Sequence, residues 1–350
     1  MSAEPIDINT AIAAAAILDS PSVPATPSPR ATESIPHSVY DSAAQHVRTH
    51  LGPSATLPSV ALMCGRGLQG IAEKLDGPTI SVPYASIPGF AVSATKKRSA
   101  GQLVFGEIRG TPVVCVVGRC HFYEGFSMQQ CTFPVRVLAL LGVRTLIVTT
   151  AVSALDTEKF DLGDLVLVRD HISLPMLAGL NPLVGPNYER LGPRMPSMYN
   201  AYDFVLRKKA FMALFQDEAL QRRGVRMREA VFCHTAGPLS ETRAECQALR
   251  ALGAEVVAPS TVPEVVAAHH AGMHILCLGL VTSVAAKGGE PCAEEAARMA
   301  LAGASVPKQP KGSDAGADDD GFLTRAESVK KGGQRTGDLN ALVQRIIEML

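Results

Sequence analysis

From residue 38 onward, short apolar runs alternate with longer stretches in which apolar positions recur three or four residues apart. The short runs at 59–65 (SVALMCG), 101–108, 112–118, 145–152, 164–170, 230–236, 254–258 and 274–283 predict strands. Several are near-continuous in Val, Ile and Leu, as strands covered on both faces are. The periodic stretches at 127–141, 203–222, 241–252, 263–271, 293–303 and 338–349 predict helices. SVYDSAAQHVRTHLG predicts one more, beginning near Ser38 and ending at Gly52. Alternation of this kind predicts an α/β chain with a sheet sandwiched by helices.

The two remaining segments read differently. Residues 1–36 are rich in Ala, Pro, Ser and Thr and predict a disordered tail. Residues 305–337 are polar, Gly-rich and charge-dense and predict a flexible insertion before the last helix, so that 37–350 form the folded domain.

Composition narrows the partners. Hydrophobic residues make up 47 % of the 350, enough for a large core. Lys+Arg and Asp+Glu both number 33, and no basic stripe is present, so nucleic acid is not an expected partner. No apolar run approaches the roughly 20 residues of a membrane span, and the N-terminus lacks a basic segment ahead of its apolar stretch. The eight cysteines form no C-x-x-C pair and mostly lie in apolar runs, which predicts free thiols, no zinc site and a cytoplasmic protein.

Four motifs offer chemistry. Cys64-Gly65-Arg66-Gly67-Leu68-Gln69-Gly70 follows a strand and opens a helix, so it is either a tight turn or a place for backbone N–H groups to meet an anion. In Gly118-Arg119-Cys120-His121-Phe122-Tyr123-Glu124-Gly125, an extended backbone puts Arg119 and His121 on one side. That pairing suits an anion such as phosphate, and equally describes a strand end with a surface Arg and a core His. Glu241, after Ala236-Gly237-Pro238-Leu239-Ser240, is either a helix N-terminal carboxylate or an acceptor for ligand N–H groups. Ser260, in Ser260-Thr261-Val262-Pro263-Glu264-Val265, is either a helix cap or a phosphate ligand.

The order of these motifs decides among the readings. With Thr132-Phe133-Pro134-Val135-Arg136-Val137, Arg169-Asp170-His171-Ile172, Asn181-Pro182-Leu183 and Gly185-Pro186-Asn187, they make a set that strongly resembles the trimeric purine nucleoside phosphorylase family. The resemblance runs from about Ser59 to about Thr282. It implies an α/β domain with a central mixed, partly barrel-like sheet flanked by helices. It implies phosphorolysis of purine ribonucleosides, inosine or guanosine in type, to free base and ribose 1-phosphate in purine salvage. Inorganic phosphate is the co-substrate, with no cofactor and no metal.

By the same resemblance, Arg119, His121 and Ser260 bind phosphate, with Arg66 in the glycine loop and Ala151 beside it. Tyr123 packs on the ribose, Phe232 lies near the sugar, and Glu241 holds the purine, so that Glu241 and His121 are the catalytic pair. Met195 matches a position that reaches into a neighbouring subunit's site, which implies a homotrimer. Several positions depart from the family pattern. Arg66 replaces a phosphate-binding Ser, Thr150 opens a stretch that the family writes Asn-Ala-Ala-Gly-Gly, and Ser283 replaces an Asn that bonds purine N7. Ala293 replaces a sugar-binding His, Ser240 replaces an aromatic, and Arg98-Ser99-Ala100-Gly101 replaces Gly-His-Ala-Gly. These departures leave two alternatives beside the leading reading: a methylthioadenosine phosphorylase, or a catalytically impaired nucleoside-binding homologue.

Overall fold

In the computed structural model the described residues are 34–65, 69–92, 101–285, 292–302, 305 and 326–350. Ile35–Leu350 form one compact unit. The expected tail at 1–36 lies almost wholly outside the described residues, as do 306–325 of the expected insertion, Arg66 and Arg98–Ala100.

Among the described residues the strands are β1 (Val60–Met63), β2 (Asp76–Pro83), β3 (Gln102–Ile108), β4 (Thr111–Val117), β5 (Thr145–Ala154), β6 (Leu165–Ser173), β7 (Met227–His234), β8 (Val256–Ala258) and β9 (His274–Val284). They form one sheet in the order β2-β3-β4-β1-β5-β8-β7-β6-β9. The last strand, β9, also pairs with β5 in parallel, so β5, β8, β7, β6 and β9 close into a barrel and the other four extend from it. Pairing is mixed: β1–β4, β1–β5, β6–β7 and β7–β8 are parallel, while β2–β3, β3–β4, β5–β8 and β6–β9 are antiparallel. Closure of part of a sheet removes free edges there.

The helices are α1 (His37–Leu51), α2 (Met128–Leu141), α3 (Leu174–Leu177), α4 (Phe204–Gln216), α5 (Glu218–Arg222), α6 (Arg243–Ala251), α7 (Val262–His270), α8 (Ala293–Leu301) and α9 (Ala326–Glu348). Strand residues alternate between two cores. Ala61 and Met63 join the cluster under α1, α2 and α7, while Val60 and Leu62 join the cluster under α4 and α9. Both faces of these strands are thus buried, which is why their sequences run apolar without a break.

The structure departs from the sequence expectation at β2, over 203–222 and at the last helix, and adds the short α3. Strand β2 was not anticipated because Gly77 and Pro78 interrupt it and Val82 is its one buried residue; an edge strand tolerates both. The helix expected over 203–222 is two, because the Asp217 side chain accepts from the Leu220 N–H and starts a second helix. The last helix begins at Ala326 rather than 338, so 326–337 of the expected flexible insertion are helical.

Candidate active site

The barrel strands and β4 deliver their chain ends to one region. The segment after β4 carries Arg119, and its guanidinium turns inward rather than to solvent, with 9 % exposure. Arg119 Nε and Nη2 both donate to Glu264 Oε1, at 3.0 and 2.5 Å, and Nη2 lies 3.4 Å from Thr261 Oγ1. Burial by itself pushes the Glu264 carboxyl up, but the charge and hydrogen bonds of Arg119 outweigh it and hold the group below its usual range. Glu264 is therefore an anion and Arg119 a cation in a buried pair.

Two residues on, His121 Nδ1 meets Glu124 Oε1 at 2.8 Å, and its ring stacks on Tyr123 with centroids 4.9 Å apart. A carboxylate only accepts, so Nδ1 carries the proton and Nε2 of the neutral ring presents a lone pair. Burial lowers the His121 value, opposed by the Glu124 hydrogen bond and assisted by the Arg119 charge.

Ser260 is not a helix cap. The N-cap of α7 is Thr261, with φ +84°, and no side chain caps that helix. A β-branched residue rarely takes this backbone, so the turn is imposed by its surroundings. The Ser260 hydroxyl, free of capping, lies 3.5 Å from Thr261 Oγ1, which in turn lies 3.4 Å from Arg119 Nη2.

Gly237 ties the third motif to these two. At φ +60° its position would bring a Cβ to 2.8 Å from Pro259 and 3.1 Å from the Tyr123 ring, so the absence of a side chain lets three segments meet. Glu241 lies outside α6, ahead of Thr242, whose side chain forms a capping box with Glu245. Glu241 therefore does not serve as the helix N-terminal carboxylate. Its Oε1 instead accepts from Thr235 Oγ1 at 3.0 Å.

Strands β1 and β4 are parallel neighbours, so Gly65 leaves β1 at the same end at which Arg119 follows β4, and it packs against β5. Its N–H donates to Thr149 Oγ1 at 3.1 Å, and a Cβ there would lie 2.5 Å from the Thr149 carbonyl. Ala151, half-buried, follows on the same strand, and Thr150 is buried. Ser283 on β9 and Ser153 on β5 face each other in register and share a short hydroxyl contact.

The structure thus brings Arg119, His121, Tyr123, Ser260 and Glu241 into one neighbourhood, and places Ala151 and Ser283 on the paired strands β5 and β9, of which β5 contacts Gly65. Two expected site residues stand apart. Phe232, expected near the sugar, is fully buried in the core, paired on β7 with His171 and Val256. Met195 is 89 % exposed. Its loop is fastened to the far end of α7, where His269 Nε2 meets Ser197 O and Gly192 packs on His270. Nine helical residues, at about 1.5 Å each, separate that end from Ser260, so Met195 does not line its own chain's site. Ala293 is exposed at the start of α8.

Three residues that motif reading did not single out belong to this region: Thr235, Glu264 and His234. His234 is buried beside Thr235, bonds Ser173 Oγ through Nδ1 at 2.9 Å, and is held neutral, its value pushed down to about 4 by burial despite the opposing Glu264 charge. Glu264 stands within the recognised S-T-V-P-E-V run, so its type was visible while its partner 145 residues away was not. No group of three or more His, Cys, Asp or Glu able to hold a metal occurs among the described residues.

Comparison with known proteins identifies the family. Residues 59–307 match the model of the phosphorylase superfamily. Purine nucleoside phosphorylase of Rattus norvegicus is 46 % identical over 244 residues, covering 70 % of this chain and 81 % of the rat chain. The crystal structure of Schistosoma mansoni purine nucleoside phosphorylase with adenosine superposes with a TM-score of 0.73 at 32 % identity, covering 90 % of this chain and 98 % of that one. The same enzyme with inosine gives 0.73 and 32 %, covering 90 % and 97 %.

Proposed function

This chain belongs to the phosphorylase superfamily and, within it, to the purine nucleoside phosphorylases, and from that premise we propose how its own residues cleave a purine ribonucleoside with phosphate. The bond from purine N9 to ribose C1′ breaks, a phosphate oxygen bonds to C1′, and the base leaves carrying the bond's electron pair and takes up a proton. Products are free base and ribose 1-phosphate. The observation that carries this assignment is the junction at Gly237, where the segments bearing Tyr123, Pro259-Ser260 and Glu241 come into contact.

Each residue then has a task set by its chemistry. Arg119 supplies fixed positive charge to phosphate, and the Ser260 hydroxyl joins it through the Thr261 hydroxyl between them. Neutral His121 offers Nε2 to a protonated phosphate oxygen, with Glu124 fixing the ring. Tyr123 stacks on His121 and supports the ribose side. Glu241, aimed by Thr235, accepts from purine N–H groups, and that contact strengthens as the leaving base gains charge. An acceptor at this point favours a 6-oxopurine, whose N1 carries a proton. Arg66 follows Gly65 in the chain and completes the phosphate side in this reading.

The exposed Met195, held away from its own chain's site, supports a homotrimer in which it reaches a neighbour's. All eight cysteines are free, which fits a reducing cytoplasm and a role in purine salvage. The decisive assay measures hypoxanthine release from inosine with and without phosphate, beside guanosine, adenosine and methylthioadenosine. Phosphate-dependent release from inosine or guanosine supports the reading. Preference for methylthioadenosine would replace it, and nucleoside binding without cleavage would make the chain a binder. Sedimentation at a single-chain mass would remove the trimer.

A further inference from the structure

Arg119 is too constrained to be an ordinary surface cation. Of its three guanidinium nitrogens, Nε and Nη2 are engaged by Glu264 and Thr261, and Nη1 has no hydrogen-bond partner among the described residues. Both members of the ion pair are buried, Arg119 at 9 % exposure and Glu264 at 3 %. A buried ion pair gives little net stability, because desolvation consumes most of the attraction. Stability alone therefore does not account for it.

Its geometry does. Glu264 lies in the first turn of α7, three residues after Thr261. The Val265 N–H reaches back to Thr261 O at 3.0 Å, so the same turn fixes Glu264 and the strained Thr261. That strained residue sets the direction in which Ser260 leaves β8, and its hydroxyl also touches Arg119.

We propose that Glu264 is a positioning residue for the anion side of the reaction: its carboxylate, with the Thr261 hydroxyl, locks Arg119 so that Nη1 and Ser260 converge on phosphate. This rests on the reading of Arg119 and Ser260 as phosphate ligands. The lock leaves Glu241 and Thr235, on the base side, untouched.

The test compares E264A, E264Q and T261V in the full-length protein. It measures the KM for phosphate and for inosine, the Kd for inorganic phosphate by calorimetry, and the melting temperature. Losing hydrogen bonds to a charged group should raise the phosphate KM and Kd in E264A about tenfold or more. The inosine KM should move less than about threefold. E264Q keeps an acceptor for Nε and Nη2 and should recover most of the lost phosphate affinity, whereas a merely structural role would lower the melting temperature without this split. If E264A does not fold, T261V, of the same shape, should raise the phosphate Kd about threefold. Unchanged phosphate KM and Kd in the variants, or equal rises in both KM values, would overturn the lock. A wild-type protein that binds phosphate but leaves inosine intact would refute the phosphorylase reading instead, while the Kd comparison would still decide the lock.

Discussion

Thr235 offers the sharpest check on the base side, because its part is set by one hydrogen bond. Its hydroxyl donates to Glu241 Oε1 at 3.0 Å, and Glu241 is half-buried with no helix to hold it. Replacing Thr235 with Val keeps the shape and removes only the donor. A hydrogen bond to a charged group contributes about 1.5–3 kcal/mol when buried, and partial exposure here reduces that to about 1–2 kcal/mol. At about 1.4 kcal/mol for each tenfold change, T235V should lower kcat/KM for inosine about 5- to 30-fold. T235S should retain most of the activity. The assay follows hypoxanthine release at saturating phosphate and, separately, the KM for phosphate at saturating inosine. Because Thr235 contacts the base-side carboxylate and not Arg119, the phosphate KM should stay within about twofold. Activity of T235V within twofold of wild type, or a phosphate KM that rises as much as kcat/KM falls, would refute the idea that Thr235 aims Glu241 at the base.

Replacing Glu241 with Ala should cost on the order of a hundredfold or more in kcat, read in the same assay, because the charge developing on the base loses its positioned acceptor. G65A should destabilise the fold by about 1–3 kcal/mol in urea titrations, since the added Cβ meets the Thr149 carbonyl at 2.5 Å and that oxygen belongs to a paired central strand. His234 ties stability to acid: its folded value of about 4 lies below the ordinary 6.5, so the unfolded chain binds more protons between those pH values and stability falls as pH drops through them. At pH 5 the loss relative to neutral pH is about 2 kcal/mol, which H234Q should largely abolish in urea titrations at pH 7.5 and 5; equal acid losses in both proteins would exclude it. S283N alone should impair turnover, because Ser153 Oγ already occupies the space beside Ser283 Oγ, and adding S153G should relieve the crowding, read as a non-additive double-mutant cycle.

The periodicity of the chain specified most of the fold by itself. Near-continuous apolar runs such as 145–152 and 274–283 announced strands buried on both faces, and these are β5 and β9, the pair that closes the barrel. The motif order carried the family, because each motif is a short local device that folding keeps intact. Strand β2 escaped because an edge strand buries one side chain and leaves no pattern to read. Local sequence likewise left Ser260 and Glu241 undecided, each being a good helix-terminal residue. Only the tertiary structure separated them from that role, by giving the α7 cap to Thr261 and the α6 cap to Thr242. It also moved Phe232 into the core, since burial depends on which strands flank β7 and not on β7's own residues. The partners of the site residues, Glu264 for Arg119 and Ser153 for Ser283, lie 145 and 130 residues away along the chain. Residue type and local spacing are properties of the chain, while the distance between two side chains so far apart in sequence is fixed only when the barrel closes.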